Sequence, residues 1–153
     1  SPCGRYLAAA WASRGPVSIW KTATGEKHLE LRLWSTEDTG DYAVDFSADG
    51  SKLAVLGHEQ VRMWDLSTCQ VVASIEAPGS KTLAMTPRDN LIATAGLNPA
   101  TGANVTLWDA STLVSMREFD GHAQGVSAIA FSPDGKLLVS GDRDGVANLW
   151  VLR

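Results

Sequence analysis

Four side chains near the C-terminus are of the types that hydrolases use for catalysis: His122, Ser140, Asp142 and Asp144. In a catalytic triad, a histidine takes the proton of a serine hydroxyl and an aspartate orients that histidine. A serine nucleophile also needs an oxyanion hole, and many such serines stand in a strained Gly-x-Ser-x-Gly turn, which the residues around Ser140 do not form. The elements that carry these side chains therefore decide between catalysis and a structural role.

These elements belong to a repeat marked by four evenly spaced tryptophans. Trp20, Trp64, Trp108 and Trp150 are separated by 44, 44 and 42 residues. Each ends a short run, VSIW, VRMW, VTLW or ANLW, in which apolar and polar residues alternate. A period of two places successive side chains on opposite faces of a β-strand. The tryptophans therefore mark one strand in each of four repeats.

Tight turns recur in the same register as the tryptophans. FSADG begins at Phe46 and FSPDG at Phe131, while TPRDN begins at Thr86 and SPCG at Ser1. Asp-Gly and Asp-Asn pairs after serine or proline are typical of β-turns, because the last residue tolerates a positive φ. An apolar run follows each turn, and another strand-like run follows each of the first three tryptophans. The sequence therefore predicts an all-β chain whose complete unit has four short strands.

The last repeat resembles the WD-repeat family of β-propellers. Gly121-His122 precedes FSPDG, an Asp-Gly turn and a strand that ends in tryptophan. The Trp-Asp pair itself occurs at residues 64–65 and 108–109, whereas lysine and valine follow Trp20 and Trp150. The resemblance covers essentially the whole chain, and it implies a propeller whose blades are four-stranded sheets, with the strands labelled a to d in chain order.

This resemblance implies an incomplete propeller, a single partial domain over residues 1–153. The predicted repeats cover residues 1–33, 42–76, 81–119 and 126–153, with three, four, four and three strands. Two full blades are thus flanked by two partial ones, whereas a closed ring needs typically four to eight blades. Three arrangements stay open: the remaining blades belong to a longer chain, a second copy completes the ring, or the four blades close on themselves.

The resemblance also implies a role for the triad-like residues. In WD-repeat blades, the residues matching His122, Ser140, Asp144 and Trp150 form a buried hydrogen-bonded network. Tryptophan can only donate and an ionised aspartate can only accept, which sets the direction of the network. We therefore expect a structural role for these residues, no catalytic residue and no enzyme activity.

The other repeats lack this network in the sequence. Leu56 is placed at the serine position of the second repeat, Thr94 at that of the third and Ala9 at that of the first. We expect these blades to be held mainly by apolar packing. His58 is expected to be a solvated loop residue rather than a ligand.

Composition excludes several classes of partner. The chain has 153 residues, 44% of them hydrophobic, and a net charge of −4 with no basic stripe, which argues against nucleic acid. No apolar run is long enough to span a membrane. The three histidines are scattered singly, so we expect no metal and no cofactor. Two cysteines without a disulfide framework, Cys3 and Cys69, favour a cytoplasmic location.

Members of the resembled family usually serve as interaction platforms. The resemblance implies a non-catalytic scaffold that binds a peptide or protein on the face carrying the d–a and b–c loops. The alternative is a regulatory or targeting propeller attached to an enzyme, such as a kinase or ATPase, in a longer polypeptide. Trp34 falls outside the repeat register, and it is either packed against the neighbouring blade or an interface anchor whose acidic rim favours a basic peptide. Arg14 and Arg143, each in a b–c turn, are candidates for contacting acidic groups of a partner. The candidate partner-binding residues are Trp34, Glu37, Asp38, Arg14, Asn98 and Arg143.

Overall fold

A computed structural model describes residues 1–10, 15–31, 42–88, 90–97 and 105–152. Every regular element within these residues is a β-strand, which confirms the all-β prediction. The strands are β1 (Tyr6–Ala9), β2 (Val17–Lys21), β3 (Lys27–Leu31), β4 (Ala43–Phe46), β5 (Lys52–Gly57), β6 (Gln60–Asp65), β7 (Gln70–Glu76), β8 (Ser80–Met85), β9 (Leu91–Gly96), β10 (Val105–Asp109), β11 (Ser115–Phe119), β12 (Val126–Phe131), β13 (Leu137–Asp142) and β14 (Ala147–Val151).

The strands form four antiparallel sheets in chain order. The first sheet is β1-β2-β3, the second β4-β5-β6-β7, the third β8-β9-β10-β11 and the fourth β12-β13-β14. Each strand pairs with its neighbour in sequence, so every sheet is an up-and-down meander. Strands β4, β8 and β12 are the first strands, a, of their blades, and the first sheet begins at strand b. The described chain is therefore an incomplete propeller of two four-stranded and two three-stranded blades, as predicted.

The a–b turns are closed by the Asp-Gly pairs seen in the sequence. In the second sheet, the Ser47 hydroxyl donates to Asp49 Oδ1 at 2.6 Å, and the Ser51 backbone N–H donates to the same oxygen at 3.0 Å. These hydrogen bonds favour the ionised form, so they lower the pKa of Asp49 to about 2. Gly50 follows with a φ of 69°, a conformation that side chains rarely adopt.

The aspartate of each Trp-Asp pair closes the c–d turn. Asp65 Oδ1 accepts the backbone N–H groups of Ser67 and Thr68 at 2.9 and 3.0 Å. Asp109 Oδ1 accepts the corresponding N–H groups of the third sheet, both at 2.8 Å. A carboxylate that accepts backbone N–H groups replaces the bonds the turn cannot make internally. The Trp-Asp signature thus combines a packed indole with the carboxylate that turns the chain after it.

Three apolar cores lie between adjacent sheets. The first and second sheets enclose Val17, Ile19, Leu53 and Val55, all fully buried. The cores between the second and third and between the third and fourth sheets are built in the same way, from the residues Ala54, Leu56, Val61, Met63, Leu83 and Ile92, and from Ala93, Val105, Leu107, Phe119, Val126 and Leu138. Alternate residues of a middle strand therefore serve different cores, because successive side chains point to opposite faces.

A partly buried carboxylate on β4 joins the second and third sheets. Asp45 Oδ2 accepts the backbone N–H of Met85 at 2.8 Å, while Oδ1 accepts the N–H of Phe46 at 2.8 Å. Burial of this carboxyl group raises its pKa above the ordinary value. This contact could not be predicted from the sequence, because Asp45 lies inside strand β4 rather than in a turn.

The outer faces of the two end sheets are uncovered within the described chain. Leu7 of the first sheet is 60% exposed, and Leu149 of the fourth is 63% exposed beside the exposed Val139 and Val151. At the register positions of Leu7, Leu149 and Val139, the middle sheets carry residues that are buried in a core, such as Leu53, Leu107 and Ala93. The four described sheets therefore form an open arc, which excludes closure on themselves and leaves the other two arrangements open.

Candidate interaction site

The triad-like residues form a buried hydrogen-bonded chain in the fourth sheet. The Trp150 indole Nε1–H donates to Ser140 Oγ at 2.8 Å, and Ser140 Oγ lies 2.7 Å from His122 Nε2. His122 Nδ1 lies 2.9 Å from Asp142 Oδ2. With a neutral imidazole, protons run from the donor-only indole through serine and histidine to the acceptor-only carboxylate. This hydrogen bond from His122 holds the pKa of Asp142 below its ordinary value.

The carboxylate in this chain belongs to Asp142, and the expectation of Asp144 was wrong. Residues 138, 140 and 142 lie on one face of β13, because side chains of a strand alternate. Asp144 lies beyond the strand in the b–c turn, where its backbone N–H donates to Asp142 Oδ1 at 3.0 Å. Asp142 Oδ1 also accepts the N–H of Val146 at 2.9 Å. Asp142 therefore both holds His122 and closes the turn.

This arrangement does not present a nucleophile. Ser140 has no exposed surface, and His122 is buried beside it. The Trp150 ring covers the serine and packs against Phe119, with ring centroids 5.0 Å apart. A serine that attacks a substrate must be reachable by it, so in this structure the hydroxyl holds the blade together.

The other sheets keep only parts of this network. In the third sheet, Trp108 Nε1 donates to Thr94 Oγ1 at 3.0 Å. In the second sheet, Val55 rather than Leu56 holds the serine position. Leu53 pairs with Trp64 and Val55 lies two residues further on the same face, as Thr94 does relative to the partner of Trp108. The assignment of Leu56 to the serine position was therefore wrong by one residue. Trp64 Nε1 is buried with no hydrogen-bond partner among the described residues.

A recess opens at the end of the sheets where the b–c and d–a connections lie, an end we call the loop face. It has a volume of about 740 Å³ and is formed by the second, third and fourth sheets. Its charged residues are Lys81 on β8, Glu59 in a b–c turn and Arg143 in another, all exposed. Its other lining residues are Tyr42, Gly79, Gly96, Leu97, Gln124, Gly125, Val126 and Ser127.

Of the predicted partner-binding residues, only Arg143 lies in the described chain, and it lines this loop-face recess. The other five lie outside the described residues: Trp34, Glu37, Asp38, Arg14 and Asn98. His58 stands exposed in the b–c turn of the second sheet with a φ of 51°, and its ring centroid lies 6.2 Å from that of Tyr42. Among the residues that line the recess, Arg143 alone was predicted from the sequence to bind a partner.

A close backbone contact shapes the wall of the recess. A Cβ on Gly96 would lie only 2.0 Å from the carbonyl oxygen of Gly79, and the Leu97 N–H donates to that same oxygen at 3.1 Å. The end of β9 therefore fits against the d–a turn only because residue 96 has no side chain. The signal in the sequence is the glycine that ends the run LIATAG, although its partner Gly79 is far away in the chain.

Metal-binding groups and long apolar helices are both absent from the described residues. These residues contain no group of three or more histidine, cysteine, aspartate or glutamate side chains placed to hold a metal ion. They form no helix of the length and apolar character that would cross a membrane. Cys3 and Cys69 are both exposed free thiols.

The repeated meanders, the cores between their faces and the indole at the same place in each blade define an incomplete β-propeller of the WD-repeat type. Residues 113–151 match the family described as WD domain, G-beta repeat. These residues cover the network and most of the fourth sheet. The chain belongs to the WD-repeat family.

Relatives align with nearly the whole chain. The chain is 29% identical over 147 residues to Protein groucho of Drosophila melanogaster, which covers 92% of this chain and 20% of groucho. It is 28% identical over 164 residues to Telomerase Cajal body protein 1 of Mus musculus, covering 99% and 30%. It is 25% identical over 160 residues to Apoptotic protease-activating factor 1 of Danio rerio, covering 98% and 12%. The chain thus spans less than a third of the length of each of these relatives.

Membership of this family indicates a protein-interaction scaffold in general terms. The family is generally non-catalytic.

Proposed function

We propose that this chain is a non-catalytic scaffold that binds a peptide or protein partner on its loop face. The observation that carries the proposal is the loop-face recess, with its volume of about 740 Å³. Sites that hold a partner are concave and combine apolar contacts with a few polar groups that fix orientation.

The lining of the recess suits a polypeptide segment. Leu97 lines the recess with 49% of its surface exposed, so it offers an apolar contact to a bound segment. Lys81, Arg143 and Glu59 surround it with charges of both signs. Mixed charges favour a protein over nucleic acid, because phosphate backbones select a continuous basic surface. The ligand is therefore a protein segment rather than a nucleic acid.

A second candidate is a regulatory or targeting propeller within a longer polypeptide. The lengths of the relatives favour this candidate, because the chain aligns with only 12% to 30% of the three proteins described above. One of them is named as a protease-activating factor, which is a regulatory role for that protein. The same loop face would then bind either a partner or another domain of the same polypeptide.

We also propose a cytoplasmic location for the scaffold. The support is the pair of exposed cysteines, both free, since exposed thiols persist in a reducing compartment.

A photo-cross-linking amino acid at Leu97 tests the binding face, with Val72 as the control position. Val72 is similarly exposed but lies on the outer strand β7, away from the recess. We expect a partner from the cells that make this chain to be captured at Leu97 and not at Val72. The purified partner should then bind Lys81→Glu and Arg143→Glu about tenfold more weakly than the original chain. Equal capture at both positions, or unchanged affinity in both variants, would refute the proposed face.

A further inference from the structure

A second groove lies between the third and fourth sheets at the opposite end from the loop face. In an up-and-down sheet, the a–b and c–d turns share one end and the b–c and d–a connections share the other. The groove has a volume of about 280 Å³ and lies at the a–b and c–d end, where β12 turns into β13 and β10 into β11. Its floor and walls are the apolar Leu91, Leu107, Met116 and Leu152, and its charged lining residues are Arg117 and Lys136.

The first of these cations occupies a place that an apolar residue holds in the other interfaces. Arg117 pairs with Leu107 immediately before the register shift at the tryptophan. The same register position is Leu29 in the first sheet and Ala73 in the second. Leu29 and Ala73 both pack against the neighbouring core, whereas Arg117 is exposed. The groove between the third and fourth sheets therefore lacks the apolar side chain that fills this position between the first and second sheets and between the second and third.

The second cation is also particular to this interface. The Lys136 carbonyl accepts the backbone N–H of the residue after the c strand, Leu152, at 2.8 Å. The same backbone bond is made by Ser51 in the second sheet and by Asn90 in the third. Equivalent positions in the other described interfaces are thus uncharged. Two cations at these two positions occur in the described chain only between the third and fourth sheets.

Both cations are available to a ligand. The Arg117 guanidinium lies 4.6 Å from the centre of the Phe119 ring, a cation–π contact that holds it beside the groove without neutralising it. The acid on the turn is Asp134, which attracts Lys136 without forming an ion pair with it and whose Oδ1 accepts the Ser132 hydroxyl and the backbone N–H of Lys136. Neither cation forms an ion pair with any described residue, and no acidic residue lines the groove.

We propose that this groove binds a short segment of a partner protein that carries an apolar side chain beside a carboxylate. The apolar side chain lies on the leucine floor next to Met116, and the carboxylate pairs with Arg117 and Lys136. The apolar contact supplies burial, while the paired cations select an acidic neighbour and fix the direction of the segment. This site is separate from the loop-face recess, so the two surfaces can be occupied independently.

Synthetic peptides test the groove directly. A set of blocked octapeptides of glycine and serine carries one leucine and one glutamate, separated by zero to three residues, and matched sets replace glutamate by glutamine or leucine by serine. Binding to the isotopically labelled chain is followed by NMR at the Gly135 amide and the Met116 methyl group. We expect one spacing to shift both signals in a saturable way, and each replacement in that peptide to weaken binding about tenfold.

Variants of the chain separate this site from the loop face. Arg117→Gln and Lys136→Gln should each weaken binding of the best peptide about tenfold, whereas Lys81→Gln in the loop-face recess should leave it unchanged. Arg117→Leu restores the residue type found at Leu29, so it should abolish binding while the fingerprint spectrum of the folded chain is kept. No saturable shift at any spacing, binding that survives loss of either peptide side chain, or weakening by Lys81→Gln alone would overturn the proposal.

Discussion

At the scale of single residues, Ser140 connects the groups of a buried network. It accepts from Trp150 and lies within hydrogen-bond distance of His122, so its hydroxyl partners both rings. Burying such rings without a partner costs free energy, and the serine removes that cost. The same residue types would make a triad if the serine were exposed, and its complete burial decides between the two roles.

We therefore predict that Ser140→Ala lowers the free energy of unfolding by about 1–3 kcal/mol, because it leaves two buried donors or acceptors unpaired. Urea denaturation followed by tryptophan fluorescence measures the change. Ser115→Ala is the matched control, since Ser115 is exposed on β11 and its hydroxyl makes no hydrogen bond with the described residues. Equal stability of the two variants would show that the network adds nothing.

At Trp64 a hydroxyl can be added rather than removed, because the buried indole N–H has no hydrogen-bond partner among the described residues. Val55→Thr places a hydroxyl where Thr94 stands beside Trp108, so we expect a gain of about 1 kcal/mol in the free energy of unfolding. Val61→Thr buries a hydroxyl in the adjacent core away from this indole, and should cost about 1–3 kcal/mol. Thermal denaturation of both variants checks the sign. A loss of stability in both would mean that the new hydroxyl does not reach the indole.

At the scale of strands and turns, each Trp-Asp aspartate stabilises the turn after its strand. The bonds to Ser67 and Thr68 lower the pKa of Asp65 from 3.8 to about 2. A folded-state pKa below the unfolded one means that the stabilisation is complete above about pH 4 and is lost as the pH falls toward 2.

Replacing that carboxylate should therefore change the response to acid. We expect Asp65→Asn to reduce stability at neutral pH and to make the decline between pH 4 and pH 2 shallower than in the original chain. Denaturant unfolding at a series of pH values measures both effects. Glu118→Gln serves as the control, because Glu118 is exposed on β11 and its carboxylate accepts no hydrogen bond from the described residues. Parallel curves for Asp65→Asn and the original chain would contradict this account of the turn.

The contact between the end of β9 and the d–a turn depends on a missing side chain. Gly96→Ala brings a Cβ to 2.0 Å from the Gly79 carbonyl oxygen, so the backbone must move, and we predict a loss of about 1–3 kcal/mol. Gly141→Ala, at the end of the equivalent strand β13, meets no atom within 4 Å and should be nearly neutral. Denaturation midpoints of the two variants compare them. Similar values would show that the recess wall yields easily.

The elements were predictable from the sequence to a greater degree than the contacts between them. Trp20 to Trp150 mark the period, and the Asp-Gly turns mark where the strands reverse, because both signals are local. Asp142 was missed because the family motif places the aspartate of the network in the b–c turn. In the structure, the alternation of side chains along β13 puts Asp142 on the same face as Ser140. Val55 was missed by one residue for the same reason. The approach of Gly96 to Gly79 depends on how β8 pairs with β9, so the glycine that ends LIATAG marks the position without revealing its partner.

At the scale of the whole molecule, the exposed end faces should make the chain associate with itself. Leu7 and Leu149 present apolar surface of the kind that the three internal cores bury. We predict that the molar mass by light scattering rises with concentration and that Leu149→Glu reduces this rise, whereas Val72→Glu on the outer strand β7 does not. A mass independent of concentration would show that the end faces are not associating surfaces. A discrete dimer would favour ring completion by a second copy over the remaining blades of a longer chain.

The central functional claim is that the loop face binds the partner, and amide hydrogen exchange tests it most directly. Exchange is measured on the chain alone and with a captured partner bound. We predict slower exchange in residues 57–60, 77–80, 120–127 and 142–146, which lie around the recess, and little change in β7 and β11. Protection confined to those outer strands, with unchanged exchange around the recess, would contradict the proposed function.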